Sequence, residues 1–137
     1  MNAGILAFSD RGMRLGEKIR DYWIREHGAA ELVRCAPGEL FSWTREHFSR
    51  DDALIFICSC GVAVRAVAPF VKSKTEDPAV VVLDELGTFS VSLLSGHLGG
   101  ANELAGNLAR LVGAVPVITT ATDRNGLFAV DLWAKEQ

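Results

Sequence analysis

The chain has 137 residues, 49% of them apolar and 23% charged, with a net charge of −3 and its basic residues scattered. This suits one compact domain with its own core, and the absence of a basic block speaks against a nucleic-acid groove or a membrane-surface patch, so a small ligand is expected. Cys35, Cys58 and Cys60 form no disulfide framework, the first residues carry no charged leader, and the longest nearly uncharged run, 53–71, is broken by Gly61, Arg65 and Pro69; a soluble cytoplasmic protein is expected, without a membrane span.

Residues 4–8 form a short apolar run ended by Ser9-Asp10, after which Leu15, Ile19, Tyr22 and Trp23 recur at helical spacing to about Glu26. A second short strand over 31–35, a turn at Pro37-Gly38 and a helical stretch carrying Leu40, Trp43 and Phe48 follow. His27 and His47 fall on the outer sides of these charged helices and are expected to be solvated. Residues 53–58 are unbroken apolar, the pattern of a central parallel strand buried on both faces. Ligands of open parallel sheets bind where strands give way to helices, so Cys58-Ser59-Cys60-Gly61 is expected on one rim with Ser9 and the later Ser95 turn. Cys58 and Cys60 are half of a soft-metal site at most, because the chain has no second cysteine pair, and no metal is expected.

Beyond Gly61, Arg65 stands among valines and alanines and needs a partner, either a ligand carboxylate or an internal one such as Asp84. Residues 79–83 read as another buried strand, and Glu85-Leu86-Gly87-Thr88 before the alternating Phe89, Val91 and Leu93 predicts a hairpin, hence a mixed sheet. A helix over 101–112 ends at Gly113, a last strand covers 115–119 and closes on Thr120-Ala121-Thr122-Asp123, and 126–135 is expected to be helical. The fold class is three-layer α/β, a mostly parallel, mixed central sheet flanked by helices, Rossmann-like without a dinucleotide fingerprint. The α/β domain is placed at 1–124, with 125–137 a helical segment leading toward a further domain; its Leu127, Phe128, Val130, Leu132 and Trp133 offer an apolar face for that domain or for a homodimer contact.

The best site candidate is the glycine-rich turn from Ser95 to Glu103, between the strand ending at Leu94 and the helix from Ala101. Gly96, Gly99 and Gly100 would let backbone approach a ligand, and the first N–H groups of the helix would welcome an anion. Ser95, His97, Asn102 and Glu103 add a titratable base, hydrogen-bond donors and a carboxylate. The spacing fits neither G-x-G-x-x-G nor a Walker loop, so no nucleotide cofactor is indicated. The alternative is a structural strand-to-helix connection whose histidine packs locally.

Three stretches in particular, Gly61-Val62-Ala63-Val64-Arg65-Ala66-Val67-Ala68-Pro69, Asp77 through Glu85 and Leu93 through Ala105, together with Pro116-Val117-Ile118-Thr119-Thr120-Ala121-Thr122-Asp123, resemble motifs of the N-terminal part of the CbiG, or cobalt-precorrin-5A hydrolase, family. The likeness runs from about Ala53 onward, and before that only a general βαβα lead-in is shared. It departs from the family at Cys58 and Cys60, where small residues are usual, and in stopping at Gln137 where members continue into middle and C-terminal domains, so a fragment, a single domain or a split version is expected. The resemblance implies the anaerobic route of cobalamin biosynthesis: water opens the δ-lactone of cobalt-precorrin-5A and a two-carbon unit leaves as acetaldehyde. It implies a cobalt-corrinoid substrate that brings its own metal, no organic cofactor, and partner domains carried elsewhere. On this chain it implies His97, Asn102 and Glu103 as catalytic, with His97 or Glu103 the base and Asp84 or Glu85 as orienter if the rims coincide. Arg65, Gly61, Ser95, Gly96, Gly99, Gly100 and Thr120 would bind substrate. A non-catalytic tetrapyrrole-binding module, with the chemistry in the other domains, is the alternative.

Overall fold

The computed structural model describes residues 1–96 and 99–120; His97, the expected helix at 126–135 and the boundary at 124/125 lie outside the described residues. Eleven elements alternate along the chain as β1 (Asn2–Ala7), α1 (Asp10–Glu26), β2 (Ala29–Arg34), α2 (Leu40–Arg50), β3 (Ala53–Ile57), α3 (Cys60–Val67), a 3₁₀ turn (Ala68–Phe70), β4 (Ala79–Leu83), β5 (Phe89–Leu94), α4 (Ala101–Val112) and β6 (Val115–Val117). They build a six-stranded sheet in the order β2-β1-β3-β4-β5-β6. Every residue of β3 and β4 is buried, as expected of strands with helices on both faces.

Side chains of Ile5, Ile55 and Val81 meet Ile19 and Trp23 of α1 and Leu104 and Leu108 of α4 on one face. On the other, Leu6, Leu54, Phe56 and Val80 meet Trp43 and Phe48 of α2 and Ala63 and Val67 of α3. Ser9 and Ser59 cap their helices, accepting the N–H groups of Gly12 at 3.0 Å and Val62 at 3.4 Å. Gly113 ends α4 with φ at +78°, a left-handed conformation that favours glycine.

The mixed sheet follows from the hairpin. β5 runs antiparallel to β4, with Leu83 opposite Ser90, and β6 runs parallel to β5. The last strand therefore opposes β1 to β4, which brings Thr120, just beyond its end, to the same end of the sheet as Asn102.

His47 also departs from expectation. It is 1% exposed, stacked on Trp43 with ring centroids 4.4 Å apart, and its Nδ1 lies 2.5 Å from Asp51 Oδ2. The i,i+4 spacing on the inner side of α2 makes this pair, and Gly4 beneath it on β1 leaves the room.

Asp84 closes the hairpin by accepting the N–H groups of Thr88 at 3.0 Å and Phe89 at 2.7 Å. Burial alone would push its carboxyl up, but these donors outweigh it and hold the pKa below the ordinary 3.8. A depressed folded pKa contributes stability above the unfolded value and loses it as pH falls through the folded one. Asp84→Asn is therefore expected to lower the urea midpoint at about pH 6 and to shrink the further loss seen on going to about pH 3. An unchanged pH dependence would show that the carboxylate contributes nothing.

Candidate functional site

Reversal of β5 decides where the glycine turn lies. Leu94 pairs with Val80 near the start of β4, so the turn that follows sits at the amino-terminal ends of β1, β3 and β4. Ser9, Cys58 to Gly61, Asp84 and Glu85 lie at the opposite, carboxyl-terminal ends. The two rims do not coincide. Asp84 is committed to the hairpin, and Glu85 Oε2 accepts the Ser9 hydroxyl at 2.5 Å, so neither carboxylate can orient a group in the glycine turn.

The described residues of the turn form a tight knot. Ser95 is held at φ +62°, where non-glycine residues are strained; its hydroxyl donates to the Asp77 carbonyl at 3.2 Å, and its carbonyl accepts the Ala101 N–H at 3.1 Å. The Gly96 carbonyl accepts the Asn102 N–H at 3.0 Å. Asn102 Oδ1 in turn accepts the hydroxyls of Ser92 at 2.7 Å and Thr120 at 3.0 Å. A Cβ on Gly96 would stand 2.7 Å from both Asn102 Oδ1 and Thr120 Oγ1, and one on Gly99 only 2.5 Å from Ser95 Cβ. These two glycines close the knot on itself, whereas Gly100, at φ +84° with nothing within 4 Å, is the open one.

The donors expected of this turn are thereby sorted. The Ala101 N–H and the Asn102 N–H are satisfied internally, while the N–H groups of Gly99 and Gly100 make no backbone hydrogen bond among the described residues. Asn102 keeps its carboxamide NH₂ because its oxygen takes both hydroxyls. Asp77, 6% exposed, anchors the arrangement from below, its carboxylate accepting the Lys72 N–H at 3.0 and 3.1 Å.

Beside the knot, on the face of the sheet covered by α1 and α4, a cleft of about 240 Å³ opens between Gly100, which precedes α4, Glu103 and Asn107 of α4, and Trp23 and His27 at the end of α1. Glu103 is exposed and His27 half-buried. His27, read from sequence as solvated, is thus the described imidazole nearest the glycine turn's own cleft.

Ser95, Gly96, Gly99, Gly100, Asn102 and Thr120 come together, and Glu103 stands at their edge. Gly61 and Arg65 do not join them. Gly61 lies in the first turn of α3, whose start is at the other end of the sheet, and Arg65 in its last turn, with Nη1 folded back to 3.5 Å from where a Gly61 Cβ would be. Arg65 is exposed, so it is no core charge, and it makes no ion pair among the described residues.

No group of three or more His, Cys, Asp or Glu side chains that could hold a metal occurs among the described residues, and no helix there is long and apolar enough to cross a membrane. Burial, with Cys60 adding to it, pushes the Cys58 thiol up to about 12, whereas Cys60 is exposed. Iodoacetamide at about pH 8 is expected to modify Cys60 at least tenfold faster than Cys58, read by peptide mass spectrometry. Equal rates would contradict the burial of Cys58.

Comparison with known proteins follows the same residues. Residues 42–123 match the family described as Cobalamin synthesis G N-terminal. The chain is 54% identical over 97 residues to a cobalt-precorrin-5A hydrolase of Salmonella typhimurium, covering 71% of this chain and 28% of that protein. It is 50% identical over 88 residues to one from Priestia megaterium, covering 64% and 24%. A crystal structure of a cobalamin biosynthesis protein G homolog from Sulfolobus solfataricus superposes with a TM-score of 0.72 at 30% identity, covering 86% of this chain and 36% of that one. The chain thus matches about a quarter of the length of the two hydrolases.

Proposed function

Since the chain belongs to the Cobalamin synthesis G N-terminal family, we propose that it is the substrate-engaging α/β domain of a cobalt-precorrin-5A hydrolase, acting in cytoplasmic, anaerobic-route cobalamin biosynthesis. The supporting observation is that the matched residues, 42–123, contain the whole Ser95 to Glu103 stretch, whose described residues, 95–96 and 99–103, lie knotted at the edge of a cleft. Water adds to the lactone carbonyl, the ring C–O bond breaks, and the hydroxyl so freed collapses to acetaldehyde as its C–C bond to the macrocycle breaks and that carbon takes a proton. Each stage needs a group that removes a proton and one that returns it, and the tetrahedral intermediate needs donors at its oxyanion. His97 or Glu103 removes the proton. The N–H groups of Gly99 and Gly100 and the Asn102 NH₂ are the donors available to the oxyanion or to a substrate carboxylate. Arg65, exposed on α3 at the other end of the sheet and on the opposite face from the cleft, is not placed to share one corrinoid with the glycine turn, so a substrate carboxylate at Arg65 would need a different docking pose. The hydrolysis calls for no organic cofactor, and the cobalt is part of the substrate.

A second reading has its own support: the chain corresponds to 28% and 24% of the two hydrolases, so the chemistry can reside in the remainder while this domain holds the corrinoid. An anaerobic assay of acetaldehyde release from cobalt-precorrin-5A separates the two, run with this chain alone, with the remaining domains of a relative alone, and with both. Release that requires this chain and is lost with its glycine turn supports the catalytic domain. Release by the remaining domains alone, with this chain only lowering KM, supports the binding module, and no effect of the chain on either would end both readings.

A further inference from the structure

The cleft beside the glycine turn holds an imidazole on one wall and a carboxylate on the other. His27 follows the last turn of α1, and Glu103 lies in the first turn of α4. The His27 ring is set by its surroundings: it packs on Trp23 with centroids 4.5 Å apart and meets the edge of Tyr22 at 5.9 Å. Trp23 is itself fixed, its Nε1–H donating to the Met1 carbonyl at 3.2 Å, and a Cβ on Gly28 would stand 2.8 Å from that same carbonyl. Among the described residues no side chain hydrogen-bonds to either ring nitrogen of His27. An imidazole placed on a rigid aromatic platform at the wall of a cleft, with its nitrogens open, is arranged for a ligand and not for the core.

We infer that His27 is a proton-transfer residue of the hydrolytic site, working across the cleft from Glu103. This rests on the reading of the chain as a lactone hydrolase domain. A cleft of about 240 Å³ is too small for a corrinoid macrocycle but takes one peripheral ring, which is where the lactone lies. When water bonds to the acyl carbon, its proton goes to the base; when the acyl C–O bond breaks, the ring oxygen must receive one. Protonated His27 donates to that departing oxygen and is reprotonated from water. The charged groups around it are Glu103 of α4, the Met1 amino group, which donates to the His27 carbonyl at 3.3 Å, and Arg25 and Glu26 of its own helix, paired with each other at 3.8 Å. The strands contribute only Ala53 and Ala79 to the cleft.

The test uses this chain with whichever remaining domains turnover requires. His27→Gln keeps a hydrogen-bonding side chain that cannot titrate, and it is expected to lower kcat by about 100-fold or more and to abolish the alkaline fall of the wild-type kcat profile, with KM within about threefold. In parallel, the imidazole C–H resonances of this chain are followed by NMR during titration with cobyrinic acid, a cobalt(III) corrinoid bearing free carboxylates; the His27 signal, assigned by its loss in His27→Gln, is expected to shift. If His27→Gln keeps wild-type kcat and pH profile, or if cobyrinic acid binds and leaves His27 unmoved, the inference is overturned while the hydrolase reading stands. If no corrinoid binds and the chain is dispensable for acetaldehyde release, both fall together. Should His27→Gln unfold, the His27 signal is assigned in the wild-type chain from its contacts with Trp23, and the titration still decides.

Discussion

His97→Ala lowers the rate of acetaldehyde release by about two to four orders of magnitude while corrinoid binding stays within about threefold. Its sequence neighbours argue for this. Gly96 and Gly99 on either side of residues 97–98 leave no space even for a methyl group, so the turn is closed with glycines around a two-residue stretch, His97-Leu98, that carries its only imidazole. If Glu103 is the base instead, Glu103→Gln gives the large loss and His97→Ala the small one; measuring both on the same assembly assigns the role. Arg65→Ala is the contrast: because Arg65 lies on the face opposite the cleft and at the other end of the sheet, its loss is expected to leave both kcat and corrinoid affinity within about threefold, and a loss of affinity with reduced salt dependence would show instead that the substrate docks on α3. Wild-type turnover in both His97→Ala and Glu103→Gln would remove the catalytic role from this stretch and leave a cradle.

Much of the framework was legible because a few local signals are strong. The uninterrupted apolar runs at 53–58 and 79–83 have one good solution in an alternating chain, and β3 and β4 are indeed the two fully buried strands at its centre. The loop at Asp84 to Thr88 announced the hairpin, and Gly113 the end of α4. The same hairpin carried a further consequence that the rim rule hid: a strand that reverses direction delivers the following turn to the other end of the sheet. Ser95 and Gly96 could therefore have been separated from Cys58 to Gly61 and Asp84 on topology alone.

Other features had no local signal. Ser95 at positive φ is imposed by the Asp77 carbonyl and the Ala101 N–H, both remote in sequence or set by the helix start. His27 and His47 look alike in sequence, each on a charged helix, yet one lines a cleft and the other is buried, because the inner faces of α1 and α2 are decided by what the sheet offers beneath them. For His47 that is the absence of a side chain at position 4.

Gly4→Ala is accordingly expected to lower the unfolding free energy by about 3 kcal/mol. In most strand interiors the exchange would be favourable, since alanine gives up less backbone freedom on folding. Here the new Cβ would lie 2.7 Å from His47 Nδ1, 2.9 Å from Asp51 Oδ2 and 3.1 Å from His47 Cγ. The strand cannot move aside, because Gly4 is in register with Glu31 of β2 and Leu54 of β3. The helix side is equally constrained: the His47 ring is stacked on Trp43, and Asp51 also accepts from Arg50 Nε at 3.1 Å. The methyl group must therefore break the buried His47–Asp51 hydrogen bond or displace α2, and either leaves polar atoms without partners in a dry site. His47→Ala destabilises by itself but removes the obstacle, so in that background Gly4→Ala should be close to neutral, with a coupling of about 2 kcal/mol in the double-mutant cycle. Urea unfolding of the four proteins measures it, and additive effects, or a Gly4→Ala protein as stable as the wild type, would show that the pair does not depend on the missing side chain.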